Sequence, residues 1–149
     1  MRRELLVVCT DTRIDPTLLA GALTEALARE PAGGLCGVRV LIPAVLPPTL
    51  PIGAWPPRMA DRLGRLRDAA EAVVGTLQPR GRVEIAACRS VPDLLSAAWP
   101  VDALVLVGGA GWRVRRAVHG LARDVIVVPS RRARRAEPVP SSSPTVLPQ

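Results

Sequence analysis

The chain has no Lys, no Phe and no Tyr, and its single His is His119. Without Lys there is no phosphate-gripping P-loop amine, no Schiff base and no lysine general base. With one His and no GxSxG turn, a Ser-His-Asp or Cys-His site would have to be built around His119 alone. On an Arg-rich stretch, that His reads as a surface or capping residue. Cys9, Cys36 and Cys88 stand far apart and form no CxxC pair. A structural zinc site normally needs four Cys or His ligands in two close pairs, so no metal is expected and the cysteines read as buried, reduced apolar residues. No charge-free stretch reaches the roughly 20 apolar residues of a membrane helix. The apolar run near the start, LLVVC, ends at Asp11 and is too short for a secretory h-region. It reads as a strand of a cytoplasmic protein.

What is present is apolar and basic. At 149 residues and 48% apolar composition, the chain suits one globular domain whose core must come from Leu, Val and Ala. Every one of the 20 basic residues is Arg, and the formal net charge is +7. From Pro129 onward there are four Arg and one Glu, so about half of the excess sits at the end of the chain. Residues 131–149, rich in Arg, Pro and Ser, read as a disordered tail after a domain spanning 1–130.

Residues 4–10 alternate little and are rich in Leu and Val, the mark of a buried parallel strand. Asp15 and Pro16 supply an N-cap and a first helical residue. Leu18, Leu19, Ala22, Leu23, Ala26 and Leu27 then recur on one helical face. A second strand is expected at 38–42, and the Pro-rich segment 43–57 reads as a loop with Trp55 folded back over the core. Residues 58–78 make the clearest helix, with a stripe from Met59 through Leu63, Leu66, Ala70, Val73 and Val74 to Leu77. A third strand covers 82–87. Ser90-Val91-Pro92-Asp93 caps a short helix. Asp102 reads as a turn residue ahead of the apolar strand 103–107. The glycines Gly108, Gly109 and Gly111 follow, then a basic helical segment, and a last strand at 125–128 with Asp124 at its start. Strict alternation of buried-type strands with helices gives an α/β fold, a parallel sheet covered on both faces.

A strand running into a glycine turn and a helix is also the grammar of a nucleotide-binding unit. Glycines let the backbone approach a phosphate, and a helix start with Arg113 nearby favours an anion. Asp11, at the end of the first strand, is placed to meet a ribose hydroxyl, or else caps a turn.

The order and spacing of these elements resemble the universal stress protein family. The resemblance lies in LLVVCTD, in the second strand, variable loop and long helix, and in VDALVLVGGAG followed by a final VIVV. It covers residues 4–128. It implies a three-layer α/β/α sandwich, Rossmann-like, with a five-stranded parallel sheet in the order 3-2-1-4-5. It further implies a homodimer formed through the last strand, with Thr10 or Asp11 as the residue at the adenosine. The ATP-binding branch carries Gly-x-x-Gly, nine residues, then Gly and Ser or Thr. Here Gly108 and Gly111 supply the first half, but eight residues separate Gly111 from Gly120, and Leu121 replaces the hydroxyl. The expected function is thus a non-enzymatic regulatory or binding module with a degenerate nucleotide site built from Thr10, Asp11, Gly108, Gly109, Gly111 and Arg113. Two alternatives stand beside it. One is a genuine ATP- or AMP-binding stress protein using the Gly108–Gly111 turn. The other is a basic adaptor that holds nucleic acid through its Arg-rich tail. Specific nucleic-acid recognition is not expected, since no Phe or Tyr is available to stack bases and the three Trp are scattered.

Overall fold

The computed structural model describes residues 3–30, 34–51, 55–77, 81–98 and 100–129, apart from the side chains of 35 and 36. The expected tail, Trp99, Gln78 and the Cys36 side chain lie outside the described residues. The elements run β1 (Arg3–Cys9), α1 (Pro16–Ala28), β2 (Leu35–Val45), α2 (Pro57–Leu77), β3 (Arg82–Cys88), α3 (Val91–Ser96), β4 (Val101–Val107), α4 (Trp112–Ala117) and β5 (Ala122–Val128). All five strands are parallel, in the order β3-β2-β1-β4-β5.

Local chemistry sets the helix starts. Asp15 is extended and its carboxylate accepts the Thr17 N–H at 2.8 Å, with Pro16 behind it. Ser90 accepts the Asp93 N–H at 3.2 Å, with Pro92 in the first turn and Asp93 at the positive helix end.

The strand pleat divides the core into two layers. Leu5, Val7 and Cys9 of β1 share one face with Val105 and Val107 of β4, against Leu19 and Leu23 of α1 and Leu63 and Leu66 of α2. Leu6, Val8, Leu104 and Leu106 point the other way, against Leu95 of α3 and Val118 and Leu121 around α4. The first two crossovers thus lie over one face and the last two over the other. Right-handed connections require this when the strand order reverses between β1 and β4.

Several local expectations need correction. β2 continues through Pro43 to Val45, pairing Pro43 with Ala86 of β3. β1 has already stopped pairing at Val8↔Leu41. Leu46 donates its N–H to Cys88 on the β3 side at 2.9 Å, so alternation puts the Pro43 nitrogen on the vacated β1 side, where no ladder bond is lost. Asp102 is not in a turn. It sits in β4 and accepts the Glu4 N–H at 2.8 Å. Asp124 lies inside β5 and pairs with Arg3 at 2.9 Å, while Arg3 also reaches Glu30 at 3.0 Å. Leu77, the last residue of the predicted α2 stripe, is 45% exposed and lines an open hollow between α1 and α2. Trp55, by contrast, packs against the α1/α2 side of the core as expected.

Candidate functional site

In a doubly wound sheet, ligands bind beyond the carboxyl ends of the strands where the order reverses. In this chain that place is the junction of β1 and β4, and four of the six predicted site residues meet there. Thr10 donates its N–H to the Val107 carbonyl at 2.8 Å. Its hydroxyl Oγ1 lies 3.1 Å from the same carbonyl and donates at 2.7 Å to that of Gly109. Asp11 accepts the Arg13 N–H at 3.0 Å, closing an Asx turn. Gly108 has φ 117°, and a Cβ placed there would stand 2.6 Å from the Asp11 Cβ and 2.7 Å from its nitrogen. The two loops are therefore in direct contact, which only glycine permits. Gly109 has φ 110° but open space around it.

The backbone groups of the turn are largely engaged. Gly108 donates to Val128 at 2.8 Å, tying the turn to β5. The Gly109 carbonyl takes the Thr10 hydroxyl, and the Ala110 carbonyl takes Arg115 Nε at 3.0 Å. Among the described residues, no backbone carbonyl takes the N–H of Gly109, Ala110 or Gly111. Those three amides are what remains for an anion.

Gly111 offers the junction only its N–H, and Arg113 is placed elsewhere. Gly111 is the N-cap residue of α4, without a side-chain cap. Arg113 leans over the Trp112 ring, 5.7 Å from its centre, and lines a groove between α3 and α4 with Ser90, Asp93 and Arg116. That groove encloses about 670 Å³. A smaller hollow of about 220 Å³ lies on the other face, between α1 and the ends of β4 and β5, lined by Ile14, Leu18, Glu25, Val107 and Val128. It is below the range of about 300–1,000 Å³ usual for small-molecule sites.

Cys9 lies beside the junction, its Sγ 3.3 Å from the Asp11 carbonyl. Burial pushes its thiol up to about 12, so it is a packing group and no nucleophile. Cys88 is likewise buried and free, and burial raises its thiol too. Among the described residues no group of His, Cys, Asp and Glu is arranged to hold a metal, and no helix is long and apolar enough to cross a membrane.

Two features were not singled out from the sequence. Arg89 donates Nη1 to the Pro47 and Leu50 carbonyls, pinning the start of the Pro-rich loop beside the end of β3. Nothing in the one-dimensional pattern pairs that Arg with that loop. Trp112 is 68% exposed. Its signal was legible: at about 100° per residue, Val114 and Val118 fall on the helix side opposite Trp112.

These observations first define a class: a doubly wound three-layer α/β/α sandwich with its loops meeting at a β1/β4 switch point. Among solved structures, the chain matches a universal stress protein from Archaeoglobus fulgidus with a TM-score of 0.50 and 16% identity, over 86% of this chain and 94% of that one. The fold is universal-stress-protein-like. No family model and no curated protein matches the sequence.

Proposed function

We propose that this chain is a non-enzymatic, universal-stress-protein-like regulatory or binding module of the cytoplasm, with a degenerate nucleotide site at the β1/β4 junction. The observation that carries the reading is the Thr10 hydroxyl donating to Gly109 while Gly108 presses against Asp11. These contacts engage the Thr10 hydroxyl and close the two loops on each other where a ribose would approach. The Asp11 carboxylate is engaged in its own turn, and the second glycine-hydroxyl turn of the ATP-binding pattern is missing from the sequence. Widely spaced thiols fit a reducing compartment.

The module acts as a homodimer through β5. Val125, Ile126 and Val127 are 36–41% exposed on an edge strand that is apolar on both faces, the kind of edge that pairs with another copy.

Calorimetric titration of ATP, ADP and AMP into the full chain at fixed salt tests the site. The expected result is no binding up to millimolar nucleotide. Micromolar affinity that disappears in Gly109→Val would overturn the reading and make the chain a genuine nucleotide binder.

A further inference from the structure

We propose that the outer face of α4, with the groove between α4 and α3, is a sequence-blind docking platform for single-stranded nucleic acid. The proposal does not depend on the nucleotide site and uses different atoms.

The helix itself supplies the first argument. α4 is WRVRRA, with no acidic residue. At about 100° per residue, Arg115, Trp112, Arg116 and Arg113 fall side by side on one arc, while Val114 and Val118 turn toward the sheet. Trp112, Arg113, Arg115 and Arg116 are all exposed. None of the ion pairs among the described residues involves these three Arg. Three guanidinium groups that join no ion pair among the described residues, around an exposed indole, make a patch that is both cationic and π-faced.

The second argument is the fit of that chemistry to one class of partner. Guanidinium forks match phosphate oxygens, and an indole face takes any base by stacking, so the pair suits a strand without demanding a sequence. Arg113 leaning over the Trp112 ring extends the stack. The groove of about 670 Å³ has room for a base, and Asp93 on its α3 side leaves the Arg-lined side as the one that accepts phosphate. A duplex hides its base faces, and a six-residue helix, about 9 Å long, is too short to lie along a major groove. An acidic protein would satisfy the Arg but leave the indole without a planar partner.

The test is anisotropy of a labelled oligo(dT) of about 12 nucleotides, titrated with the full chain at two salt concentrations. Trp112→Ala should weaken binding about tenfold, with an unchanged melting temperature because the ring is exposed. Arg113→Ser with Arg116→Ser should lower the salt slope by roughly one to two. Replacing Arg131, Arg132, Arg134 and Arg135 by Ser should leave the Trp112 effect in place. The proposal is overturned if Trp112→Ala binds as the parent does, or if the tail substitutions alone abolish binding. It is equally overturned if polyglutamate or duplex competes as well as the single strand. It also fails if Trp112→Ala dissociates a dimer without touching oligo(dT) affinity, since a second copy then covers the ring.

Discussion

β4 and β5 are both rich in Val, in VDALVLV and ARDVIVV, yet they live in different surroundings. From Ala103 to Val107, β4 is at most 5% exposed, because β1 and β5 flank it and both helix layers reach it. β5 has β4 on one side only, and Val125, Ile126 and Val127 stay 36–41% exposed. Apolar composition states what a strand can bury, whereas the number of neighbours states what it does bury. A strand with a central strand's composition at an edge is the part of the fold with a capacity left unused.

The contrast can be broken by substitution, and the largest effect belongs where β1 meets β4. Gly108→Ala forces a side chain into positive φ and into the Asp11 backbone, and is expected to destabilise by about 2–6 kcal/mol. Gly109→Ala carries the strain without the clash and should cost about 1–2 kcal/mol. Urea unfolding of the two variants measures the difference, and equal losses would mean that the loop contact contributes nothing.

Next comes the strand comparison itself. Leu104→Ala removes a fully buried side chain and should cost about 2–5 kcal/mol, while Val127→Ala on the neighbouring strand should cost less than about 1 kcal/mol. A large cost at Val127 that depends on protein concentration would show β5 buried against another copy.

The thiols probe the same centre-to-edge gradient. Cys9 on central β1 should be alkylated after Cys88 on edge β3, followed by mass spectrometry of the intact native protein. The unfolded chain's thiol ionises near 9.0, while folded Cys9 keeps its proton to about 12. Between those values the unfolded state loses its proton first, so stability falls as pH rises across that window. A Cys9→Val protein should lose part of that slope.

The smallest effect on stability is expected at the edge. Ile126→Lys should change unfolding free energy by no more than about 0.5 kcal/mol yet convert a dimer to a monomer in sedimentation velocity. A parent protein that sediments as a monomer at every concentration would remove the dimer from the proposal.

Much of this is legible in the sequence. Asp15-Pro16 and Ser90-Val91-Pro92 announce helix starts because capping is local chemistry. The alternation of buried strands and helices gives a parallel sheet because crossovers need helices. Less legible were the elements that depend on a neighbour's length. Pro43 reads as a strand breaker, and it is harmless only because β1 ends before it. Leu77 reads as core and is exposed at the edge of an open hollow between α1 and α2. At the candidate site, Thr10, Asp11, Gly108 and Gly109, which the sequence singles out, lie together at the β1/β4 junction. The sequence had no means to separate Arg113 from them, since one turn of a short helix decides which face of the sheet it joins.

The sequence by itself determined the strands and helices, the glycine turn and the incomplete nucleotide pattern, because each depends on residues close together along the chain. Only the tertiary structure decided that Thr10 would bond the glycine turn from about a hundred residues away, that Gly108 would close against Asp11, and that Arg89 would hold the start of the Pro-rich loop. Those outcomes depend on which loops the strand order brings together, and no local preference encodes that.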